Sequence, residues 1–460
     1  MNALNLLTTR DKSVAKRRFW VFLAIWFVMS SIQCIFSGYN EDEPYYYIYA
    51  LYPAWGYFDH PPMVGMFVKM GVLLLGKIGV RLFAAVSSTV FLWAVWRVLE
   101  YKEKWRYVNV YILLALSLPM VNVYGFILVP DAPLLLFSAL FLYVYKRFLY
   151  SRSVTRAVLM GLLAAAMLYS KYHGALLLLL VILSNLQLLR NKYFYIALLV
   201  AVLCFMPHVV WQVENDFPSL KYHLVQRSAK SYRFLYTWEY PLNQLAVLGP
   251  FTLPMMLIAV FKSKARTTLS SAMRFIFWGF LGFFLLMTFK GHVEPHWTIV
   301  AVIPGVYFCH PWAVQNETRA RFFLFGTLFA AVLIFIARIL LLIPGLPTPY
   351  HNQDKWAAAI EEVAGDNPVV FRDSYQKPSM YILKTDKMAW TYNSPTRRSN
   401  QYDFLPIIDS INGKKVIYLG ENPQTATLDI ITPDGDTLRG RWIENFCVDS
   451  VRVDDTSGLK

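Results

Sequence analysis

Eleven apolar stretches, each close to the length of a membrane-spanning helix, divide the first three-quarters of this 460-residue chain, and that repetition restricts its fold more than any single motif. They lie near 19–37, 79–98, 107–125, 132–149, 155–170, 173–189, 193–211, 242–261, 272–289, 297–312 and 322–343. A helix needs about 20 mostly apolar residues to cross a bilayer, because each backbone N–H and C=O inside hydrocarbon must find its partner within the segment. One further stretch, Met63 to Gly76, is shorter and carries Lys69 in its middle, so it is expected along the interface. Composition agrees: 57% of residues are hydrophobic and 16% charged, whereas soluble domains carry roughly 25% charged residues. A soluble enzyme, a disordered scaffold and a disulfide-built secreted domain are excluded. The four cysteines, Cys34, Cys204, Cys309 and Cys447, show no metal-like CxxC spacing.

The net charge of +15 does not mark a nucleic-acid binder, because its location argues otherwise. Basic residues sit between the apolar stretches: Lys16, Arg17 and Arg18; Lys102, Lys104 and Arg106; Lys146, Arg147 and Arg152; Arg190 and Lys192; Lys262, Lys264 and Arg266; Arg319 and Arg321. With the N-terminus inside, all six clusters fall on the cytoplasmic face, as the positive-inside rule requires. The opposite face then collects Glu41, Asp42, Glu43, Asp59 and His60; Asp131; Lys171 and His173; Glu214 and Asp216; and Lys290, His292, Glu294 and His296. The expected location is the inner membrane, multi-pass, with the polar chemistry on the periplasmic side.

Residues 348–460 hold 13 Lys+Arg and 16 Asp+Glu and contain short alternating runs such as Lys415 to Leu419. The expected architecture is therefore a polytopic α-helical membrane domain over 1–347, with outer loops 38–78 and 212–241, and a small α/β periplasmic domain over 348–460. Pro344, Pro347 and Pro349 mark the junction.

Chemistry concentrates in the first outer loop. Glu41-Asp42-Glu43-Pro44-Tyr45-Tyr46-Tyr47 is followed by Gly56-Tyr57-Phe58-Asp59-His60-Pro61-Pro62. A carboxylate can take the proton of a hydroxyl while tyrosine rings stack on sugar C–H faces. An interfacial aromatic belt with solvated charges explains the same residues equally well.

These two motifs resemble the first outer loop of bacterial polyprenyl-phosphate-sugar-dependent glycosyltransferases. They belong to the GT-C superfamily, which includes protein O-mannosyltransferases and the lipid A aminoarabinose transferase. The resemblance continues through Val129-Pro130-Asp131-Ala132-Pro133, Ser170-Lys171-Tyr172, Trp211 with Asn215-Asp216 and Arg227, and Lys290 to Trp297. It covers about the first 310 residues; the tail carries no family motif. It implies a GT-C-like fold and inverting sugar transfer from a polyprenyl-phosphate-linked donor to a lipid, glycan or protein acceptor. Asp42 maps onto the catalytic base. Glu43 is a weaker catalytic candidate with packing as its alternative, and Asp131 matches a supporting acid or, equally, a helix N-cap.

The leaving phosphate needs cations, and Arg227 is the first choice, Lys171 the second. Lys230 and Arg233 fit lipid-headgroup contacts better. Tyr45, Tyr57, Asp59, His60, Glu294 and His296 are expected to contact substrate. The last four could also hold a divalent metal, but no ligand spacing supports one, so the metal-free reading is preferred and no cofactor is required. His208 is expected to be a buried, hydrogen-bonded histidine. A transporter or lipid flippase is the rival reading; it calls for ionisable residues at mid-membrane and repeated halves, and neither is evident.

Overall fold

The computed structural model describes residues 2–222, 232–343, 352–394, 397–420, 425–433 and 435–448. All eleven apolar stretches are largely helical. Among the described residues, six helical segments are long and apolar enough to cross a membrane: Lys12–Phe36, Met63–Val98, Asp131–Tyr150, Lys192–Glu214, Thr268–Met287 and Glu317–Leu340. Phe234–Leu248 and Thr252–Lys262, bent by 99° at Gly249, form a seventh if taken together. Val108–Ser117, Val154–Ser170 and His173–Ser184 are shorter apolar helices. The count of full-length spans is thus lower than the count of apolar stretches, because several stretches break into helix and 3₁₀ pieces at Pro, Gly or Asn.

The stretch expected along the interface packs against the segment that follows it. Met63–Leu75 stops at Gly76, which adopts φ +61°, a region open mainly to glycine. The chain then turns through a 3₁₀ segment, Gly76–Arg81, into Leu82–Val98. Gly71 and Gly79 meet at this turn, and a Cβ on either would collide with the carbonyl oxygen of the other.

The tail forms a mixed five-stranded sheet. Strands β1 (Val369–Arg372), β2 (Ala389–Tyr392), β3 (Val416–Leu419), β4 (Leu428–Ile431) and β5 (Thr437–Ile443) are ordered β2-β1-β3-β5-β4. β1 pairs in parallel with β2 and β3, while β5 is antiparallel to β3 and β4. Parallel central strands must be covered on both faces. Accordingly Val369 and Phe371 pack with Ala357, Ile360 and Ala364 of helix Gln353–Ala364, while Val370 points into the core that continues into the membrane helices. Helix Gln376–Thr385 lies against the first-loop helix Glu43–Leu51. The tail is therefore packed directly onto the end of the helical bundle that carries Asp42.

Candidate active site

The first loop is organised by a helix, Glu43–Leu51, that starts at Asp42 with Pro44 in its first turn, where a missing N–H costs nothing. Neighbouring acids in this motif face opposite fates. Glu43 is 1% exposed and paired through both oxygens with Arg81, which is equally buried; Arg81 Nε lies 2.7 Å from Oε1. Glu43 also accepts the backbone N–H groups of Leu128 and Asn40, each at 2.8 Å. Arg81 donates further to the Ser37 and Gly38 carbonyls. This cluster ties the first span, the first loop and the approach to Asp131 together.

Asp42 is half-buried at the seam between loop and tail. Its Oδ1 accepts a 3.0 Å hydrogen bond from the Tyr375 hydroxyl. Burial, with a smaller contribution from the Glu294 carboxylate, raises its pKa above the usual aspartate value, against the opposing pull of Tyr375, Arg398 and Gln376. The Tyr375 phenol is itself pushed well up, first by burial and then by Asp42, so it stays a donor.

Asp59 lies across the same seam. It accepts from Tyr45 Oη at 2.8 Å and faces Arg398 Nη1 at 3.3 Å. Tyr45 Oη in turn accepts the backbone N–H of Gln401 at 2.7 Å, and the Gln401 side chain accepts from the Phe58 N–H at 2.8 Å. His60 stands 5.9 Å from the Tyr46 ring. Tyr45 and Tyr57 are 2% and 1% exposed, and Tyr57 stacks on Tyr49 at 3.8 Å. Most of the tyrosine run is thus packed inside the loop, with little ring face turned outward.

A second cluster surrounds Asp131, the first residue of helix Asp131–Tyr150. Lys171 Nζ reaches both Asp131 oxygens at 2.8 Å, and the two side chains are 6% and 3% exposed. His296 Nε2 lies 3.6 Å from Asp131, and Glu294 lies 3.6 Å from His292. The N-cap position of this helix is Pro130, with Asp131 as its first helical residue. Among the described residues no group of three or more His, Cys, Asp or Glu side chains is gathered to hold a metal ion. Arg227 and Lys230 lie outside the described residues. Arg233 is exposed beside the Tyr236 ring. His208 is buried and bonded to the Trp55 carbonyl and Tyr172.

The structure therefore brings Asp42, Asp59, Asp131, Lys171, Glu294 and His296 to one end of the bundle and adds Tyr375, Gln376 and Arg398 from the tail. Sequence reasoning passed over these three because no motif flags them. The one available signal was the basic pair Arg397-Arg398 in an otherwise acidic segment.

Comparison with known proteins bears on the fold. Residues 59–211, about a third of the chain, match the family model described as dolichyl-phosphate-mannose-protein mannosyltransferase. No curated protein matches the chain. Among solved structures it resembles ArnT from Cupriavidus metallidurans in the apo state, with TM-score 0.63 and 15% identity over 93% of this chain and 98% of that one. It also resembles the same protein bound to undecaprenyl phosphate, with TM-score 0.66 and 14% identity over 91% and 97% of the two chains. The archaeal oligosaccharyltransferase AglB from Archaeoglobus fulgidus, in complex with an inhibitory peptide and a dolichol-phosphate, is similar at TM-score 0.55 and 12% identity over 92% and 74%. The resemblance carried by the motifs is thus met by a family model over residues 59–211, and the chain shares the fold of ArnT and AglB.

Proposed function

We propose that the protein is an inverting membrane glycosyltransferase that moves a sugar from a polyprenyl-phosphate donor to an acceptor hydroxyl, with Asp42 as general base. The observation that carries this reading is the contrast within one dipeptide. Glu43 is locked in a buried ion pair, while Asp42 stays half-buried at a polar seam with its basicity raised by its surroundings. A carboxylate whose proton affinity is raised in this way is a better proton acceptor than one in water.

In the proposed reaction the acceptor O–H gives its proton to Asp42 as the oxygen bonds to the anomeric carbon. The bond from that carbon to the phosphate oxygen breaks on the opposite side, and the polyprenyl phosphate leaves with the electron pair. The donor phosphodiester becomes a monoester and gains one negative charge, so cations facing it favour the transition state over the ground state. Arg227 keeps its proposed place there. Lys171 is already held by both oxygens of Asp131, and its proposed role is to position the segment bearing Glu294 and His296, which contacts the pair through His296. No step requires a metal. Glu43 acts in this reading as the anchor of the loop and Tyr45 and Tyr57 as its packing; Asp59 and His60 face the donor.

The site and the tail lie on the periplasmic face in this proposal. Cys447 is exposed, whereas Cys34 and Cys309 are buried. A membrane-impermeant maleimide should label intact spheroplasts through Cys447, and Cys447→Ser should abolish the label; modification only after lysis would reverse the orientation. Activity is tested by incubating the purified protein with polyprenyl-phosphate sugars carrying radiolabel in the sugar. Label should leave the isoprenoid fraction and appear on an acceptor lipid, glycan or protein, whereas full retention on the isoprenoid across donors and acceptors would contradict the reading.

A further inference from the structure

The cations at this end of the molecule differ in how firmly they are held. Arg81 and Lys171 are 1% and 6% exposed, and each is clasped by both oxygens of a carboxylate. Arg398 is not: its side chain is 37% exposed, and its ion pair is a single 3.3 Å contact from Nη1 to Asp59. The same nitrogen donates to the Tyr222 hydroxyl. The guanidinium carbon lies 5.0 Å from the centre of the Tyr222 ring and 5.4 Å from that of Tyr375.

Two aromatic rings beside a guanidinium orient its plane through its faces and leave the in-plane N–H groups for an acceptor. Those N–H groups form a fork that matches two oxygens of a phosphate. The present acceptor, Asp59, is fixed from the other side by Tyr45, which is in turn pinned by the Gln401 backbone. The carboxylate therefore belongs to the loop and the guanidinium to the tail, and their contact bridges the seam. The donor phosphodiester presents two non-bridging oxygens to the fork against one carboxylate oxygen, and the departing monoester, with nearly two negative charges, holds it more strongly still.

Arg398 is also placed correctly relative to the base. Tyr375 hydrogen bonds to Asp42 through its hydroxyl and flanks Arg398 with its ring, so one tyrosine separates the two groups. Arg398 also acts electrostatically on Asp42. An in-line displacement needs a base on one side of a sugar ring and a cation at the departing phosphate on the other. From these contacts we infer that Arg398, supplied by the C-terminal domain, is a catalytic residue that binds the donor phosphate, exchanging its Asp59 contact for phosphate oxygens as the donor enters. The tail then completes the active site. This inference rests on the proposed use of a polyprenyl-phosphate donor.

The test measures equilibrium binding of tritiated undecaprenyl phosphate to the full-length protein in nanodiscs, with tritiated undecaprenol as the uncharged control. Arg398→Gln should weaken binding of the phosphate by at least about tenfold, and Arg398→Lys should weaken it less, since it keeps the charge but loses the fork. Asp59→Asn should tighten it a few-fold by removing the competing carboxylate. Undecaprenol should bind all four proteins alike. Wild-type affinity in Arg398→Gln overturns the inference. So does equal weakening in Arg398→Gln and Asp59→Asn, which would make the pair a structural latch, and so does displacement of the label by phosphatidic acid as effective as that by undecaprenyl phosphate. A wild-type protein that binds no undecaprenyl phosphate overturns the inference and the donor assignment together, whereas loss confined to Arg398→Gln supports the inference even if Asp42 proves not to be the base.

Discussion

The two sides of the first loop hold charge in opposite ways. Beneath the loop, Glu43 and Arg81 are each 1% exposed, and their remaining hydrogen-bonding capacity is taken by backbone groups of Leu128, Asn40, Ser37 and Gly38. Above it, Asp42 and Asp59 meet Tyr375, Gln376 and Arg398 of the tail at a seam where Asp42 and Arg398 stay partly exposed and Asp59 is buried. A buried pair with every lone pair satisfied is rigid and costly to break. A seam whose charged groups are partly exposed exchanges partners more readily, as a substrate site requires. The same loop thus has a locked underside and a looser upper side, and adjacent residues of one motif, Asp42 and Glu43, fall on different sides.

The sharpest way to break this contrast is to cut the underside. Glu43→Gln leaves the Arg81 charge buried without its counter-ion and is expected to destabilise the fold by about 3–5 kcal/mol, read as a fall in thermal unfolding temperature in detergent. Replacing both partners with apolar residues should recover much of that loss. Equal stability of Glu43→Gln and wild type would remove the structural role assigned to Glu43.

A smaller effect is expected at the seam. In the proposed reaction transfer requires ionised Asp42, so the rate should fall as pH drops through its raised pKa, at a higher pH than for an ordinary aspartate. Tyr375→Phe removes a donor to the carboxylate, and losing a hydrogen bond to the charged form raises that pKa further. The acid limb of the pH–rate profile should therefore move to higher pH, with any loss of the neutral-pH rate held within about 150-fold, since one hydrogen bond to a charged group contributes about 1.5–3 kcal/mol at most. An acid limb that stays put or moves down would uncouple Tyr375 from Asp42.

The smallest effect calibrates the others. Arg106 and Glu103 form an ion pair with 55% and 56% of their side chains exposed. Glu103→Gln should leave unfolding within about 0.5 kcal/mol of wild type and transfer unchanged. A larger loss would mean that exposure does not separate the charges that matter.

Much of this was legible in the sequence, for definite reasons. Apolar runs announce helices because hydrocarbon tolerates little else, and clustered Lys and Arg suggest which ends share a face. Acids in a Tyr- and Pro-rich loop located Asp42 and Asp59. What stayed hidden depends on contacts distant in the chain. Arg81 pairs with Glu43 from the edge of an apolar stretch, where it reads as an ordinary flanking charge. The lengths of the helices were hidden too, because Pro119 and Gly249 break continuous apolar sequence into shorter pieces. Tyr375 and Arg398 sit more than 300 residues from Asp42 and Asp59, and only the packing of the sheet domain on the loop brings them together. The tyrosine run illustrates the same limit: its pattern suits sugar stacking, but tertiary burial takes most of the rings into the loop core.

The measurement that bears most directly on the account compares purified wild-type and Asp42→Asn proteins for transfer of labelled sugar from a polyprenyl-phosphate donor, with undecaprenyl-phosphate binding and unfolding temperature recorded on the same samples. The account predicts that Asp42→Asn folds and binds the lipid phosphate like wild type but transfers about 10²–10⁴-fold more slowly, the range set by loss of a general base. Transfer at the wild-type rate by Asp42→Asn would contradict it.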